Sequence, residues 1–155
     1  MKGQVSHELE VNVPAAQAWE LYGTIKLAKL VEKESDTVEE IEIVEGDGGV
    51  GTILHLKFTP GTPGFAGYKE KFIEIDNERR VKVTDAVEGG YLDVGFTLFR
   101  VIFEIIEKGS DSCIIRSIIE YELKEEAAAN ASFVSTDAVA KIAEMAKNYL
   151  LNNKA

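Results

Sequence analysis

Cysteine and histidine are scarce in this chain of 155 residues, which contains 1 cysteine, Cys113, and 2 histidines, His7 and His55. A single cysteine cannot close an internal disulfide, and this set offers no pattern of zinc ligands, so we expect no metal site. Cys113 lies in an apolar run, which is typical of a buried, reduced thiol. These absences exclude a disulfide-stabilised secreted scaffold and a zinc-dependent fold.

Basic charge is also in short supply. The chain carries 17 Lys and Arg against 27 Asp and Glu, a formal net charge of −10. Such a chain repels the phosphates of nucleic acids and of anionic membranes, so we expect neither as a partner. No run of about 18 apolar residues exists to span a bilayer, and the first residues lack the apolar stretch of a signal peptide. We expect a cytoplasmic protein that is a monomer or a weak dimer.

The length and the pattern of apolar residues predict a single domain, residues 1–155, of the α+β class. Residues 5–13 largely alternate apolar and polar side chains, as in a half-buried strand. Six more strand-like segments follow, several joined by short turns, which favours antiparallel pairing. The predicted strands are 5–13, 37–45, 52–58, 68–76, 80–88, 92–107 and 112–123, and the predicted helices are 15–22, 25–33 and 130–152.

The C-terminal segment predicts one long amphipathic helix. Ala138, Ile142, Met145 and Tyr149 recur at helical spacing, and no glycine or proline interrupts residues 130–152. The alanines of this segment are small, so the helix should leave space between itself and a sheet. Seven strands wrapped around one long helix, with two short helices, make up a helix-grip fold.

A glycine-rich segment, residues 46–51, matches the spacing of a dinucleotide-binding fingerprint. That fingerprint must open a helix, whose N–H groups bind the pyrophosphate. Here the segment precedes strand 52–58, so it predicts a turn. His7 lies on the apolar face of its strand, and we interpret it as a hydrogen-bonded, partly buried side chain and not as a catalytic base.

The most informative segment is residues 68–72. On a strand, Tyr68, Glu70 and Phe72 share one face, although the isoleucines that follow have the opposite parity and leave the inward face undecided. A carboxylate in an apolar pocket has a raised pKa and can act as a base near neutral pH. Lys82 on the next strand could pair with Glu70 across a short hairpin. The alternative is an exposed cross-strand salt bridge without function.

These segments carry a resemblance to a known family. The sequence resembles the Bet v 1 / pathogenesis-related 10 family along nearly its whole length, and within it the plant norcoclaurine synthase group. The resemblance implies a seven-stranded antiparallel sheet curled around the C-terminal helix, enclosing an apolar cavity that holds Glu70 and Lys82. The matching segments are 6–11, 45–52, 68–72, 76–78, 88–93 and 111–113.

The same resemblance implies a reaction and a site. Enzymes of this group condense an arylethylamine with an aromatic aldehyde in a Pictet–Spengler reaction, without a cofactor. Their catalytic residues match Tyr68, Glu70 and Lys82 of this chain: the lysine supplies and recovers the proton of imine formation, the glutamate removes the ring proton, and the tyrosine binds a substrate hydroxyl or amine. The residues expected to line the substrate cavity are Leu56, Phe72, Phe99 and Val101.

One departure from the group bears on the reaction. The norcoclaurine synthases carry an aspartate where an ungapped count places Val101, which shares its parity with Phe99 and Phe103 and makes that wall apolar. Two alternatives therefore stay open. The chain resembles the related norbelladine synthases, which chiefly make an imine from tyramine and 3,4-dihydroxybenzaldehyde, or it is a non-catalytic carrier of hydrophobic ligands such as cytokinins, flavonoids or alkaloids.

Overall fold

The fold is built on one antiparallel sheet of seven strands, in the spatial order β1-β7-β6-β5-β4-β3-β2. A computed structural model describes residues 1–153 of the chain. The predicted α+β class and antiparallel pairing are confirmed. The strands are β1 Lys2–Val11, β2 Val38–Glu45, β3 Ile53–Phe58, β4 Gly67–Asp76, β5 Val81–Gly89, β6 Phe96–Gly109 and β7 Ser112–Leu123.

Three α-helices lie against this sheet: α1 Ala15–Tyr22, α2 Lys26–Glu34 and α3 Asp137–Asn152. Pro14 caps α1, and its carbonyl oxygen accepts the backbone N–H of Ala18. The second half of α3 packs with α1 and the long strands β6 and β7 in the main hydrophobic core. The first half of α3 and the apolar side of α2 instead face a cavity. The core therefore fills only part of the space that the sheet encloses.

The first strand is displaced from the predicted residues 5–13 to Lys2–Val11, and two further element starts are wrong by four residues or more. The strand expected to begin at residue 92 begins at Phe96, because Gly90–Val94 form a 3₁₀-helix that ends at Gly95 in left-handed backbone. The helix expected to begin at residue 130 begins at Asp137, because Glu125–Phe133 form a second 3₁₀-helix. The Ser135 hydroxyl accepts the backbone N–H of Asp137 in the turn that precedes this helix.

The predicted apolar stripe of α3 is displaced by one residue. Its buried residues are Val139, Ala143, Ala146 and Leu150, whereas Ala138 and Tyr149 of the predicted stripe are exposed. The two stripes have the same spacing, so periodicity alone does not distinguish them. The observed stripe places two alanines against the core, which lets α3 lie close to its neighbours, and leaves the tyrosine at the surface.

Strand β4 contains a β-bulge that resolves its conflicting parities. Phe72 is opposite Thr84 and Glu74 is opposite Val83, so Ile73 is an extra residue without a partner. Phe72 is buried, whereas Ile73 and Glu74 are exposed. After the bulge, Ile75 faces inward again and packs against the core. The first half of β4 and its last residues can therefore both present side chains to the interior.

Cys113 is buried, as predicted, but the expectation for His7 is partly wrong. His7 is half-buried and lies opposite Ser117, which is fully buried on β7. Within residues 1–153, neither His7 Nδ1 nor Ser117 Oγ has a hydrogen-bond partner. In that part of the chain, no helix has the length and hydropathy needed to cross a membrane.

The left-handed glycine before β6 generates a prediction about stability. Gly95 and Gly51 have φ values of +101° and +94°, but a Cβ on Gly95 would lie 2.3 Å from Ala127 Cβ, whereas a Cβ on Gly51 meets no atom within 4 Å. Each alanine substitution should lower the free energy of unfolding by about 1–2 kcal/mol through backbone strain. Gly95→Ala should lower it by a further ~1–3 kcal/mol because of the overlap.

Urea unfolding of both variants and the wild type measures the difference. Equal losses for Gly95→Ala and Gly51→Ala would contradict the close approach between Gly95 and the second 3₁₀-helix.

Candidate active site

A cavity of about 110 Å³ lies between the inner face of the sheet, α2 and α3. Its wall is largely apolar and includes every residue that the sequence and the resemblance nominated. These residues come from four neighbouring strands, so the curl of the sheet brings them together. They are Leu56, Tyr68, Glu70, Phe72, Lys82, Phe99 and Val101.

Strand β4 places Tyr68, Glu70 and Phe72 on the cavity side by simple alternation. Leu54 and Leu56 on β3 lie directly opposite Glu70 and Tyr68, and both leucines also line the cavity. The Glu70 carboxyl group is therefore flanked by aliphatic side chains. The glycine-rich segment is a turn between β2 and β3, as predicted, and its last residue donates its backbone N–H to the Phe72 carbonyl.

Strand β5 presents two polar side chains to the interior of the molecule. Lys82 and Thr84 are each 3% exposed and line the cavity, whereas Val87 is exposed. Lys82 Nζ donates a long hydrogen bond of 3.5 Å to the Thr24 carbonyl, between α1 and α2. The same nitrogen lies 3.9 Å from the centre of the Phe72 ring. This pattern points to function, because an inward lysine adds nothing to a hydrophobic core.

The expected ion pair between Glu70 and Lys82 is wrong. Lys82 is opposite Ile75 and Glu70 is opposite Ala86, so the two side chains lie four residues apart along the hairpin. Among residues 1–153, the ion pairs do not include Lys82 or Glu70. Both groups nevertheless face the same cavity, where they interact through space without contact.

Burial shifts the pKa of both groups towards neutrality. Loss of solvent raises the pKa of Glu70, while the Lys82 charge and the nearby Thr84 hydroxyl oppose that rise. Loss of solvent lowers the pKa of Lys82 to about 8, and Glu70 opposes that fall. The cavity thus holds a lysine of lowered pKa and a glutamate of raised pKa, a combination typical of sites that transfer protons.

An aromatic wall closes one side of the cavity. Tyr91 stacks on Phe99 with ring centres 3.6 Å apart, and meets the edge of Tyr68 at 5.7 Å. Burial raises the pKa of both tyrosines, Tyr68 well above its usual value. The sequence reasoning missed Tyr91 because it treated this residue as a turn leading into a strand. Tyr91 lies within segment 88–93, which carries part of the family resemblance, and this position could have indicated its place in the cavity.

Val101 continues this wall on β6 and is 9% exposed. Its neighbour Arg100 points to the other face of the sheet, where it donates to both oxygens of Asp85 at 2.7 and 2.9 Å. No charge from β6 therefore replaces a carboxylate at position 101 inside the cavity.

The two helices complete the lining with residues that the strand motifs could not predict. Leu27 and Val31 come from α2, and Val139 and Ile142 come from α3. Within residues 1–153, no group of three or more His, Cys, Asp or Glu side chains is arranged to hold a metal ion.

Comparison with protein families identifies the relationship. The model of the pathogenesis-related protein Bet v 1 family matches residues 1–153. The chain belongs to the Bet v 1 family. The helix-grip architecture and the cavity under α3 are therefore those of a Bet v 1 protein.

Individual Bet v 1 relatives are similar over the full chain. Norbelladine synthase from Narcissus pseudonarcissus is 47% identical over 100% of this chain and 96% of its own length. S-norcoclaurine synthase from Thalictrum flavum subsp. glaucum is 40% identical over 97% of this chain and 72% of its own length. The X-ray structure of norcoclaurine synthase from Thalictrum flavum, in complex with dopamine and hydroxybenzaldehyde, aligns with a TM-score of 0.90 at 37% identity, covering 100% of this chain and 90% of that one.

The burial of Lys82 predicts a gain in stability when its charge is removed. Its pKa falls from 10.5 when exposed to about 8 in the folded chain, so the unfolded state holds the proton more tightly. Lys82→Met should raise the free energy of unfolding near pH 7 by about 3 kcal/mol. The stability advantage of Lys82→Met should shrink as the pH rises from about 8 to 10.5, because the wild-type amine then loses its proton and folding no longer buries a charge.

Urea unfolding at two pH values measures this effect. Lys71→Met is the matched control, since Lys71 is exposed on the outer face of β4. A variant Lys82→Met that is less stable than the wild type at neutral pH would contradict the desolvation of this amine.

Proposed function

We propose that the chain catalyses the cofactor-free condensation of an arylethylamine, dopamine or tyramine, with an aromatic aldehyde in alkaloid biosynthesis. The observation that carries the proposal is the convergence of Tyr68, Glu70 and Lys82 on one apolar cavity. Similarity along nearly the whole of this chain to norbelladine synthase and to norcoclaurine synthases supports a condensing enzyme of this type. The structure of a relative with dopamine and hydroxybenzaldehyde supports an aromatic amine and an aldehyde as substrates.

Imine formation is the first chemical step. The substrate amine adds to the aldehyde carbon, and the resulting carbinolamine must gain a proton on its hydroxyl before water can leave. We assign this proton transfer to Lys82, whose pKa of about 8 lets it give up and regain a proton near neutrality. The apolar lining strengthens each electrostatic interaction with the cationic iminium product.

Ring closure requires a base and an oriented ring. Attack of the catechol ring on the iminium carbon leaves a proton on the attacking ring carbon. We assign the removal of this proton to Glu70. Its charge also favours the iminium that precedes this step. We assign to the Tyr68 hydroxyl the binding of a substrate hydroxyl or amine. Contact of the substrate rings with the aromatic wall fixes their mutual orientation. This orientation can lower the activation barrier by several kcal/mol, out of the ~7–11 kcal/mol that proximity and orientation can supply.

In this proposal, the side chain at position 101 determines whether the ring closes or the imine is released. Its apolar side chain provides no second carboxylate for the substrate amine or for the reacting ring. We therefore place imine formation, as in a norbelladine synthase, ahead of ring closure as the main activity. A carrier role is the second candidate, because an apolar cavity also suits binding of aromatic ligands without turnover.

The site assignment predicts loss of activity in single variants. Lys82→Ala should lower kcat/KM for every product, and Glu70→Ala should lower kcat/KM for the ring-closed product, each by about 100-fold or more, since each removes the proton-transfer group assigned to that step. Lys71→Ala, on the outer face of the same sheet, should leave kcat/KM unchanged. Product formation from dopamine or tyramine with a panel of aromatic and arylacetic aldehydes, read by chiral chromatography, measures these effects.

A racemic product formed at the rate of the buffer blank for every substrate pair would overturn the enzymatic proposal. Micromolar binding of unrelated aromatic ligands in a fluorescence titration, without turnover, would then favour the carrier.

The role of position 101 predicts a change in product. Val101→Asp should increase the fraction of ring-closed product from dopamine and an arylacetaldehyde, because the new carboxylate faces the cavity beside the reacting ring. Val101→Asn is the matched control, since it has similar size without the charge. An unchanged ratio of imine to ring-closed product in Val101→Asp would contradict this role.

A further inference from the structure

Lys82 is distinguished from the other lysines of residues 1–153 by being buried without an acidic partner in contact. Several lysines pair with glutamates at the surface: Lys2, Lys26, Lys57, Lys69 and Lys108. Lys82 has no ion pair within residues 1–153, although a glutamate faces the same cavity. Its amine has only a long hydrogen bond to the Thr24 carbonyl and the face of the Phe72 ring.

This environment suits a nucleophile. A salt bridge would hold the proton on the amine and keep the lone pair out of reach. Desolvation without a contacting carboxylate does the opposite: it lowers the pKa of Lys82 to about 8, so a useful fraction of the amine is neutral near physiological pH. The groups that face it are Glu70, which favours its charged form, and the neutral Thr84 and Phe72.

We infer that Lys82 is a covalent catalyst that forms a Schiff base with the aldehyde before the substrate amine reacts, in place of the proton transfer to a carbinolamine assigned to it above. The inference rests on the proposed function, because the cavity must bind an aldehyde. Nζ attacks the carbonyl carbon, a C–N bond forms, and the carbonyl electron pair moves to oxygen. A proton moves from the nitrogen to this oxygen to form a hydroxyl, and the protonated Glu70 carboxyl group gives it a second proton. The C–O bond breaks and water leaves, while the nitrogen lone pair completes the C=N bond and Glu70 is left as a carboxylate.

The arylethylamine then takes over the aldehyde carbon. Its amine adds to the iminium carbon, a proton moves from that amine to Nζ, and the bond from Nζ to carbon breaks to release neutral Lys82 and the protonated substrate imine. The Glu70 carboxylate then takes the imine proton, which restores the starting state of the site. One water is lost overall, and no oxidant or reductant is needed. The position of Nζ over the Phe72 ring suits the intermediate, since the ring face attracts the iminium cation as it does the ammonium.

Reductive trapping tests the covalent intermediate. The wild-type protein is incubated with 3,4-dihydroxybenzaldehyde alone and sodium cyanoborohydride, and then digested for mass spectrometry. The peptide containing Lys82 should gain the mass of the aldehyde less one oxygen atom. Its labelled fraction should exceed that of exposed Lys71 by at least about tenfold, because the neutral fraction of a desolvated amine is larger than that of an ordinary exposed lysine.

Two controls separate the site from random modification. The unreactive 3,4-dihydroxybenzyl alcohol should compete for the cavity and suppress labelling at Lys82 but not at Lys71. Lys82→Met, which is expected to fold stably, should also lose the long-wavelength absorption band of the protonated Schiff base that the wild type shows with aldehyde alone. Labelling of Lys82 no greater than that of Lys71 would overturn the inference.

Kinetic competence completes the test. When tyramine is added to the preformed adduct in the absence of the reductant, the absorption band should disappear at a rate at least equal to kcat. Slower discharge overturns the inference. Turnover by a wild type that is not labelled at Lys82 also overturns it, yet leaves the proposed function intact. Labelling at Lys82 without turnover of any substrate pair supports the covalent step and overturns the proposed function.

Discussion

Desolvation of the Lys82 amine is the constraint on which the site depends. The amine keeps its chemistry only while the cavity stays apolar and the nearest carboxyl group stays out of contact. The second condition comes from the sheet, since the register of β4 and β5 separates Glu70 from Lys82 by four residues along the hairpin. A direct salt bridge would stabilise the fold and would tie up the amine.

The hydrophobic core, which lies beside the cavity, compensates for the unfavourable burial of the Lys82 amine. The long strands β6 and β7, with α1 and the second half of α3, form a dense core of aromatic and branched side chains. Alanines at positions 143 and 146 let α3 lie close to that core, so the helix is anchored at one end and lines the cavity at the other. Stability and function are therefore concentrated in different parts of one sheet, as a domain of marginal stability requires.

Much of this could be predicted from the sequence, because strand alternation and turn chemistry are local. The face shared by Tyr68, Glu70 and Phe72 is an example, although the choice of the inward face needed the resemblance to a known family. The stripe of α3 was displaced by one residue because two stripes of equal spacing exist there. The contact with Tyr91 and the absence of an ion pair at Lys82 depend on tertiary register, which no local pattern records.

The bulge at Ile73 has a consequence for how this protein can change during evolution. It lets one continuous strand present Glu70 and Phe72 to the cavity and Ile75 to the core, although their parities disagree. Deletion of that single residue would restore regular pairing and turn either the cavity-lining segment or the core residue towards solvent. Substitutions within the cavity can therefore diversify the chemistry freely, whereas the length of β4 is held fixed. Related enzymes with new substrates should arise by exchange of side chains and not by insertion or deletion in this strand.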